Sequence, residues 1–284
     1  MDFILMTEGD TPVGLTHEHR YRELIEEVLL AERVGFDAFG SSEQHVALGT
    51  ASVSAPEVLY PYLMALTSRI RFIHLVTLLP TRMNHALRVA ERVATEDILS
   101  NGRVELYDKT LAATHHPHPI TPRKMVAIAG GMHCAETTAQ ARTEAKPLFE
   151  MAKLSTDAYE RLSKLSKDCA YMGAVKDIDF NDEEYMFEHS QGFIVGDPDH
   201  CIQHVQRYAD MGADALVLRV DSLPHHQLLR SIELFGKYVI PHFKNPRNIV
   251  RPADDVLADI RPARPAHEEA LRQYHANHTK ETAR

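Results

Sequence analysis

The chain has little of what stabilises secreted, metal-stapled or membrane-spanning proteins. It contains three cysteines in 284 residues, Cys134, Cys169 and Cys201, with no CxxC pair. An odd number of scattered cysteines argues against a disulfide framework and against structural zinc, so we expect buried thiols. No window reaches the ~18 uninterrupted apolar residues that a membrane span needs. The first ten residues have acidic rather than basic flanks, which argues against a signal peptide and predicts a cytoplasmic protein.

Positive charge is also scarce. The formal net charge is -9, and no Lys/Arg stripe offsets it, so neither nucleic acids nor anionic membranes are expected partners. With 44% hydrophobic and 25% charged residues, the composition is that of an ordinary globular protein, and one domain is favoured.

What the chain does have is a regular alternation of strand-like and helix-like segments. Strand-like runs begin at Phe3, Asp37, Ile70 and Arg103, in steps of 34, 33 and 33 residues. Amphipathic helices are predicted between them, over Tyr21–Val34, Ala55–Ser68 and Leu87–Leu99. Alternation at this spacing predicts parallel strands, in a (βα) barrel or a doubly wound sheet.

The rhythm breaks after Leu106. Residues 107–124 are polar, rich in histidine and contain three prolines, which predicts a loop. A fifth strand is predicted at Met125–Ala129 and a sixth at Ala215–Val220, whereas residues 192–198 (GFIVGDP) are predicted to be a turn that opens a helix. Six strands of the eight in a complete barrel leave roughly 70 residues missing. We therefore predict an incomplete TIM (βα) barrel over residues 1–243, with a deletion near 107–124 and a partly disordered tail over 244–284.

Further helices are predicted in the second half of the chain. They cover Glu136–Lys153, with an interruption near Pro147, and then Thr156–Leu165, Asp199–Met211 and His226–Tyr238.

Several short motifs, in this order and spacing, resemble the bacterial-luciferase-like flavin-dependent monooxygenase family. They are Ser41–His45 (SSEQH), Leu78–Thr81 (LLPT), Arg88–Glu91 (RVAE), Ala94–Leu106 (ATEDILSNGRVEL) and Val195–Pro198 (VGDP). The resemblance implies a luciferase-like barrel whose C-terminal strand ends hold reduced FMN, or a deazaflavin in some branches. There the cofactor would meet oxygen and a small organic substrate. A separate flavin reductase and a homodimer formed through the helix Ala55–Ser68 are also implied.

The resemblance further implies which residues act. His45 and Glu43, at the end of the second strand, are the candidate catalytic residues, because barrel active sites lie at the C-terminal strand ends. The alternative for His45 is a histidine that is only hydrogen-bonded at the barrel mouth. Gln44 replaces the first of two adjacent histidines of the luciferases, so light emission is not implied.

The third strand would lie under the flavin ring, where Leu75, Val76 and Thr77 would offer backbone groups and a hydroxyl, or else it is an ordinary buried strand. The amides of Gly130 and Gly131, which follow the strand Met125–Ala129 and precede the helix predicted to start near Glu136, would bind the phosphate, although such pairs also occur in ordinary turns. The family's own phosphate-gripping turn falls in the missing units. Weakened FMN binding is therefore expected, with Arg82, Lys109 and these glycines as substitutes.

Eighteen histidines raise the question of a metal site. The candidates His115–His118, His17–His19 and His133–Cys134 lack the convergence from rigid elements that metal ligands need, so no metal is predicted. Three functions stay open: a flavin-dependent monooxygenase, a catalytically impaired flavin-binding or structural relative, and a metal-dependent barrel hydrolase.

Overall fold

The computed structural model describes residues 1–11, 14–45, 51–78, 80, 82, 84–106, 125–165, 179–190 and 192–244. Its strands are β1 (Asp2–Thr7), β2 (Ala38–Ser41), β3 (Arg71–His74), β4 (Val104–Leu106), β5 (Val126–Ala129), β6 (Gly131–Cys134), β7 (Phe193–Gly196) and β8 (Ala215–Arg219). Its α-helices are α1 (His17–Val34), α2 (Pro56–Leu66), α3 (Ala86–Ser100), α4 (Thr138–Glu144), α5 (Lys146–Ser163), α6 (Pro198–Asp210), α7 (His225–Leu234) and α8 (Ile240–Lys244). Two π-helical turns cover Tyr185–His189 and Phe235–Val239.

The fold is a mostly parallel barrel sheet wrapped by helices, as predicted. Six strands pair in the order β4-β3-β2-β1-β8-β5, and each pairing is parallel. All six begin within one residue of the predicted starts. Because parallel strands need a crossover on each step, the helices between them cover the outer face of the sheet.

Two predictions for the second half were wrong. The predicted break between Lys153 and Thr156 is absent, because α5 runs unbroken from Lys146 to Ser163. Residues 192–198 are not a turn, because Phe193–Gly196 forms the strand β7, which pairs in parallel with β6 in a separate two-stranded sheet. The run is only four residues long and is bounded by glycines, so it carries a weak pattern, and pairing with β6 decides its conformation.

The two faces of the six-stranded sheet have different neighbours. Phe3, Leu5, Phe39 and Phe72 point outward into the large core that they share with the helices. Ile4, Ala38, Ile73 and Val217 point inward and form a smaller cluster on the barrel side. Side chains therefore alternate between two apolar layers, as expected for strands that are buried on both faces.

Helix ends follow local sequence signals. Thr16 caps α1 by accepting a hydrogen bond from the His19 N–H, and Asp197 caps α6 by accepting from the His200 N–H. The predicted interruption near Pro147 is confirmed, since α4 ends at Glu144 and α5 starts at Lys146.

Two predicted segments lie outside the described residues. They are the loop 107–124 and the C-terminal tail beyond Lys244. Among the helices that the structure describes, none is both long and apolar enough to cross a membrane.

Candidate active site

At the C-terminal ends of the strands, the side chains of Met6 and Leu75 form a small apolar surface on the inner face of the sheet, which we call the ledge. Met6 and Leu75 stand there, half-buried, above the inner cluster. Leu75 lies over Gly40, so close that a Cβ atom built on Gly40 would be 2.6 Å from Leu75 Cδ1. Only glycine at position 40 therefore lets Leu75 lie flat across the end of β2.

A polar group borders this ledge. Glu8, which follows β1, accepts hydrogen bonds from Ser42 Oγ at 2.5 Å and from Gln44 Nε2 at 2.8 Å. Ser42 and Gln44 follow β2, so these bonds join the ends of two neighbouring strands. The C-terminal strand ends, which form the mouth of the barrel, thus carry the apolar ledge beside the carboxylate of Glu8 and the amide of Gln44.

The predicted pair Glu43 and His45 is brought together. Glu43 is 7% exposed, and its carboxylate accepts from the His45 ring at 2.6 Å, from the Leu78 backbone N–H at 2.9 Å and from Asn84 Nδ2 at 3.2 Å. These bonds tie the loop after β2 to the loop after β3. Glu43 is therefore buried and fully engaged, and its contact with the mouth is through His45.

His45 is held in one orientation by this contact. Its Nε2 atom faces Glu43, and about a third of its side chain is exposed (33%). A carboxylate only accepts hydrogen bonds, so Nε2 must carry a hydrogen, and the neutral ring keeps its lone pair on Nδ1. This tautomer makes Nδ1 the atom that is able to take a proton.

The three residues predicted to lie under the flavin follow β3 instead of lying within it. Leu75 points inward, Val76 is 38% exposed and Thr77 is half-buried. The ordinary alternative, a continuous buried strand, does not describe them, since β3 ends at His74. Their contact with a flavin stays a prediction.

Sequence analysis missed a buried pair beside this site. His74 Nε2 lies 2.7 Å from Glu96 Oε2 of α3, and both residues are buried. The pair lies between the sheet and the helices, where the ring of His74 contacts the ring of Tyr60 at a centroid distance of 4.9 Å. Burial raises the pKa of Tyr60 to about 12, so its hydroxyl stays neutral and serves Ser41 and Ile73 as a structural partner.

A second missed group lies at the ends of β1 and β8. Asp221 is 1% exposed and accepts from Thr7 Oγ1 at 2.6 Å, from the Glu8 N–H at 2.8 Å and from Arg219 Nε at 3.1 Å. Arg219 also donates to Asp10 at 3.0 Å. Burial, followed by the nearby charge of Asp10, raises the pKa of Asp221 to about 7 against the lowering effects of Arg219 and Arg20. The sequence signal for this group is the position of Asp221, a carboxylate directly after the predicted strand Ala215–Val220.

Gly130 and Gly131 were predicted to form a turn between a strand and a helix, but Gly131 belongs to a second strand. Gly131 is the first residue of β6, and its N–H donates to the Gly192 carbonyl at 3.2 Å. The next helix, α4, starts at Thr138, two residues after the predicted start, and the strand β6 lies between it and the glycines. The amide of Gly131 is thus committed to the sheet and does not sit at the positive end of a helix dipole.

The predicted histidine clusters do not converge. His17 contacts Ser52 Oγ at 2.9 Å, His19 pairs with Glu23 at 3.4 Å, and His133 pairs with Glu144 at 2.7 Å. Each of these histidines has a separate partner, and His133 is buried in β6 instead of lying in a solvated loop. His115–His118 lies outside the described residues.

Comparisons with known proteins agree with the family resemblance. Residues 1–107 match the sequence model of the family described as luciferase-like monooxygenase. No curated protein matches the chain in a sequence search. The predicted resemblance is thereby confirmed over the part of the chain that contains β1 to β4.

Solved structures share the fold at low sequence identity. The oxygenating component of 3,6-diketocamphane monooxygenase from Pseudomonas putida, a type II Baeyer-Villiger monooxygenase solved with FMN, is 15% identical with a TM-score of 0.61, over 89% of this chain and 99% of that chain. Apo-MsnO8 is 18% identical with a TM-score of 0.59, over 84% and 98%. The monooxygenase RslO1 from Streptomyces bottropensis is 15% identical with a TM-score of 0.54, over 86% and 100%. At these identities the likeness shows the barrel fold.

Proposed function

Because residues 1–107 match the luciferase-like monooxygenases and the chain has their fold, we propose that this protein is a flavin-dependent oxidoreductase. Its reaction would be a monooxygenation that uses reduced flavin, oxygen and a small organic substrate at the C-terminal ends of β1, β2 and β3. The observation that carries the proposal is the oriented Glu43–His45 pair beside an apolar ledge at this end of the matched segment.

The ledge fits the ring of a flavin. A tricyclic ring needs a flat apolar floor and polar groups at its edge. Met6 and Leu75 supply the floor, and the amide of Gln44, held by Glu8, lies at its side. When bound, reduced flavin would supply the oxygen-activating chemistry, and the protein would orient it.

The residues that the sequence suggested as phosphate ligands offer less to the phosphate of FMN than the ledge offers to the ring. The Gly131 amide is committed to β6–β7 pairing, Arg82 is exposed on the loop after β3, and Lys109 lies outside the described residues. Arg219, at the end of β8, is already paired with Asp10 and Asp221. The ring is thus the part of the cofactor for which the described residues offer a surface.

His45 would move a proton during the reaction. Glu43 holds the ring so that Nδ1 is its basic atom, and about a third of the side chain is exposed to solvent (33%). A well-placed general acid or base contributes about 10²–10⁴-fold to a rate. Glu43 acts through His45 and is a positioning residue.

The test is turnover by His45→Ala and Glu43→Gln with chemically reduced FMN, oxygen and a panel of aliphatic aldehydes and cyclic ketones. We expect His45→Ala to lower kcat by roughly 10²-fold or more with little change in flavin affinity. His19→Ala is the matched control, because its ring is 60% exposed on α1 and pairs with Glu23 of the same helix instead of with Glu43. Equal turnover by the wild type and His45→Ala would remove His45 from the mechanism.

One observation favours a second candidate, a relative that binds flavin poorly and is catalytically impaired. The Gly131 N–H donates to the Gly192 carbonyl within the sheet, so a suggested donor to the phosphate is already occupied. Each lost charge-assisted hydrogen bond forfeits about 1.5–3 kcal/mol, so two losses would weaken binding roughly a hundred-fold or more. This candidate predicts measurable flavin binding without any product from the panel.

A further inference from the structure

Two histidines and a glutamate converge outside the barrel mouth. His200 and His204 lie four residues apart on α6, so both side chains share one face of the helix. Glu188 reaches them from the π-helical turn Tyr185–His189, just before β7. In the described part of the chain, these three form the one group of potential metal ligands whose atoms all lie within 4.8 Å of one another.

The distances between the ligand atoms suit a single ion. The two Nε2 atoms are 3.0 Å apart, and Glu188 Oε2 is 3.9 Å from His200 Nε2. A tetrahedral zinc ion with bonds of about 2.0–2.1 Å spaces its ligand atoms about 3.3 Å apart. These two separations bracket this value, and all three ligand atoms lie within 4.8 Å of one another, so a shift of the Glu188 side chain toward the two rings would complete the geometry.

The sequence around the cluster holds the rings in place. A Cβ atom on Gly196 would lie 2.7 Å from His200, so glycine at the end of β7 allows the ring to lie back over the strand. His204 is 2% exposed and is fixed by burial. Two imidazole nitrogens facing each other at this distance gain one hydrogen bond at most, whereas a metal ion would engage both lone pairs.

The surrounding charges select the class of metal. Arg142 pairs with the Oε1 atom of Glu188, which leaves Oε2 toward His200, and Arg207 donates to the Glu188 backbone carbonyl at 2.8 Å. Two guanidinium groups and one carboxylate make a poor site for calcium or magnesium, which need several anionic or neutral oxygens. Two neutral imidazoles and one carboxylate suit zinc and related divalent transition metals.

We propose that Glu188, His200 and His204 bind a divalent transition metal ion of the zinc type. The three ligands leave a fourth position for water, and the side chains of Glu188 and His200 are 27% and 16% exposed, so solvent reaches the site. The ion clamps the π-helical turn to α6. Because it binds the folded chain, it stabilises that state in proportion to its free concentration.

The experiment measures zinc bound per chain and its affinity, by competition with a chromophoric chelator, on the full chain after removal of metal by EDTA and dialysis. The variants are His204→Ala and Glu188→Gln, and the control is His189→Ala, an exposed histidine next to Glu188. The control accounts for zinc that binds other histidines of the chain. Circular dichroism checks folding, and Glu188→Gln, at a partly exposed position, covers the case in which His204→Ala does not fold.

We expect the wild type and His189→Ala to bind one equivalent of zinc that His204→Ala loses, with affinity falling about a hundred-fold or more. Glu188→Gln should weaken binding at least about ten-fold. Zinc should raise the Tm of the wild type and of His189→Ala but not that of His204→Ala. Unchanged zinc affinity in either His204→Ala or Glu188→Gln, or no zinc bound by the wild type, would overturn the site.

Discussion

At the scale of single residues, burial decides how the side chains of the barrel mouth behave. Asp221 and Glu43 are both buried carboxylates at strand ends, but their partners differ. Glu43 faces a histidine ring and two neutral donors, whereas Asp221 faces another carboxylate, Asp10, as well as Arg219 and Arg20. The first arrangement orients a proton-transfer group, and the second makes a carboxyl group sensitive to pH.

Asp221 should make stability depend on pH. Its pKa is raised from 3.8 to about 7 in the folded chain, chiefly by burial. Between these values the unfolded chain has released the proton that the folded chain keeps, so stability falls as pH rises, by up to about 1.4 kcal/mol per pH unit. Below about pH 4 both states hold the proton, and above about pH 7 neither does, so the slope is confined to that window.

Urea denaturation at several pH values checks this expectation. Asp221→Asn should flatten the slope between about pH 4 and pH 7, although the variant loses stability overall because Asn cannot accept from all three donors. Asp157→Asn, at an exposed position on α5, is the control and should keep the wild-type slope. An unchanged slope in Asp221→Asn would assign the pH dependence to other groups.

Residues were predictable from the sequence where a motif marked them. Glu43 and His45 came from their place after β2, and the structure brings them into contact. His74–Glu96, Asp221–Thr7 and Glu188–His200–His204 were missed because in each group the partners come from different elements of the fold. The spacing of His200 and His204 was the one local signal for the last group. Its third member became evident only when β7 placed Glu188 beside α6.

At the scale of elements, α2 carries more apolar surface than the barrel covers. Val58, Tyr62 and Leu66 recur every four residues and are 69%, 57% and 46% exposed. Leu59, Tyr60 and Leu63 of the same helix are already buried against the sheet. The exposed stripe supports the predicted homodimer, which stays a proposal.

Tyr62→Glu should weaken this dimer, because it places a charge at the centre of the stripe. Sedimentation velocity at micromolar concentrations should show dimer for the wild type and monomer for the variant. Leu154→Glu, at a 59% exposed position on α5, is the control and should remain dimeric. A wild type that sediments only as monomer would contradict the proposed interface.

Among the elements, long periodic segments were predicted well and short ones were not. The starts of β1 to β4 and the helices between them followed from apolar periodicity and a constant repeat length. The strand β7 and the separation of β5 from β6 at Gly130 depend on pairing with distant strands, which a local pattern does not encode.

At the scale of the whole molecule, the six-stranded sheet has two ends in the described part of the chain. The central strand β1 pairs with both β2 and β8, whereas β4 pairs with β3 and β5 pairs with β8. A strand paired on both sides opens only when two ladders break, so its amides are the better protected.

Hydrogen exchange should therefore be graded across the sheet. Peptides that cover β1 and β8 should exchange slowest, and those that cover β4 should exchange faster. Mass spectrometry of peptides from a native-state exchange series measures this gradient. Equal protection of β4 and β1 would indicate that β4 gains a second partner outside the described residues.

The central claim, that a flavin binds at the C-terminal ends of β1 to β3, is tested most directly by titrating the purified chain with FMN and with riboflavin. Flavin fluorescence reports binding. We predict saturable binding of both at this site, with affinities within about ten-fold of each other, because the ledge serves the ring while the suggested phosphate donors are committed elsewhere. Leu75→Glu, which puts a carboxylate on the ledge, should weaken both. If neither flavin binds at concentrations up to about 1 mM, the claim is contradicted, because only a negligible affinity would escape detection at that level.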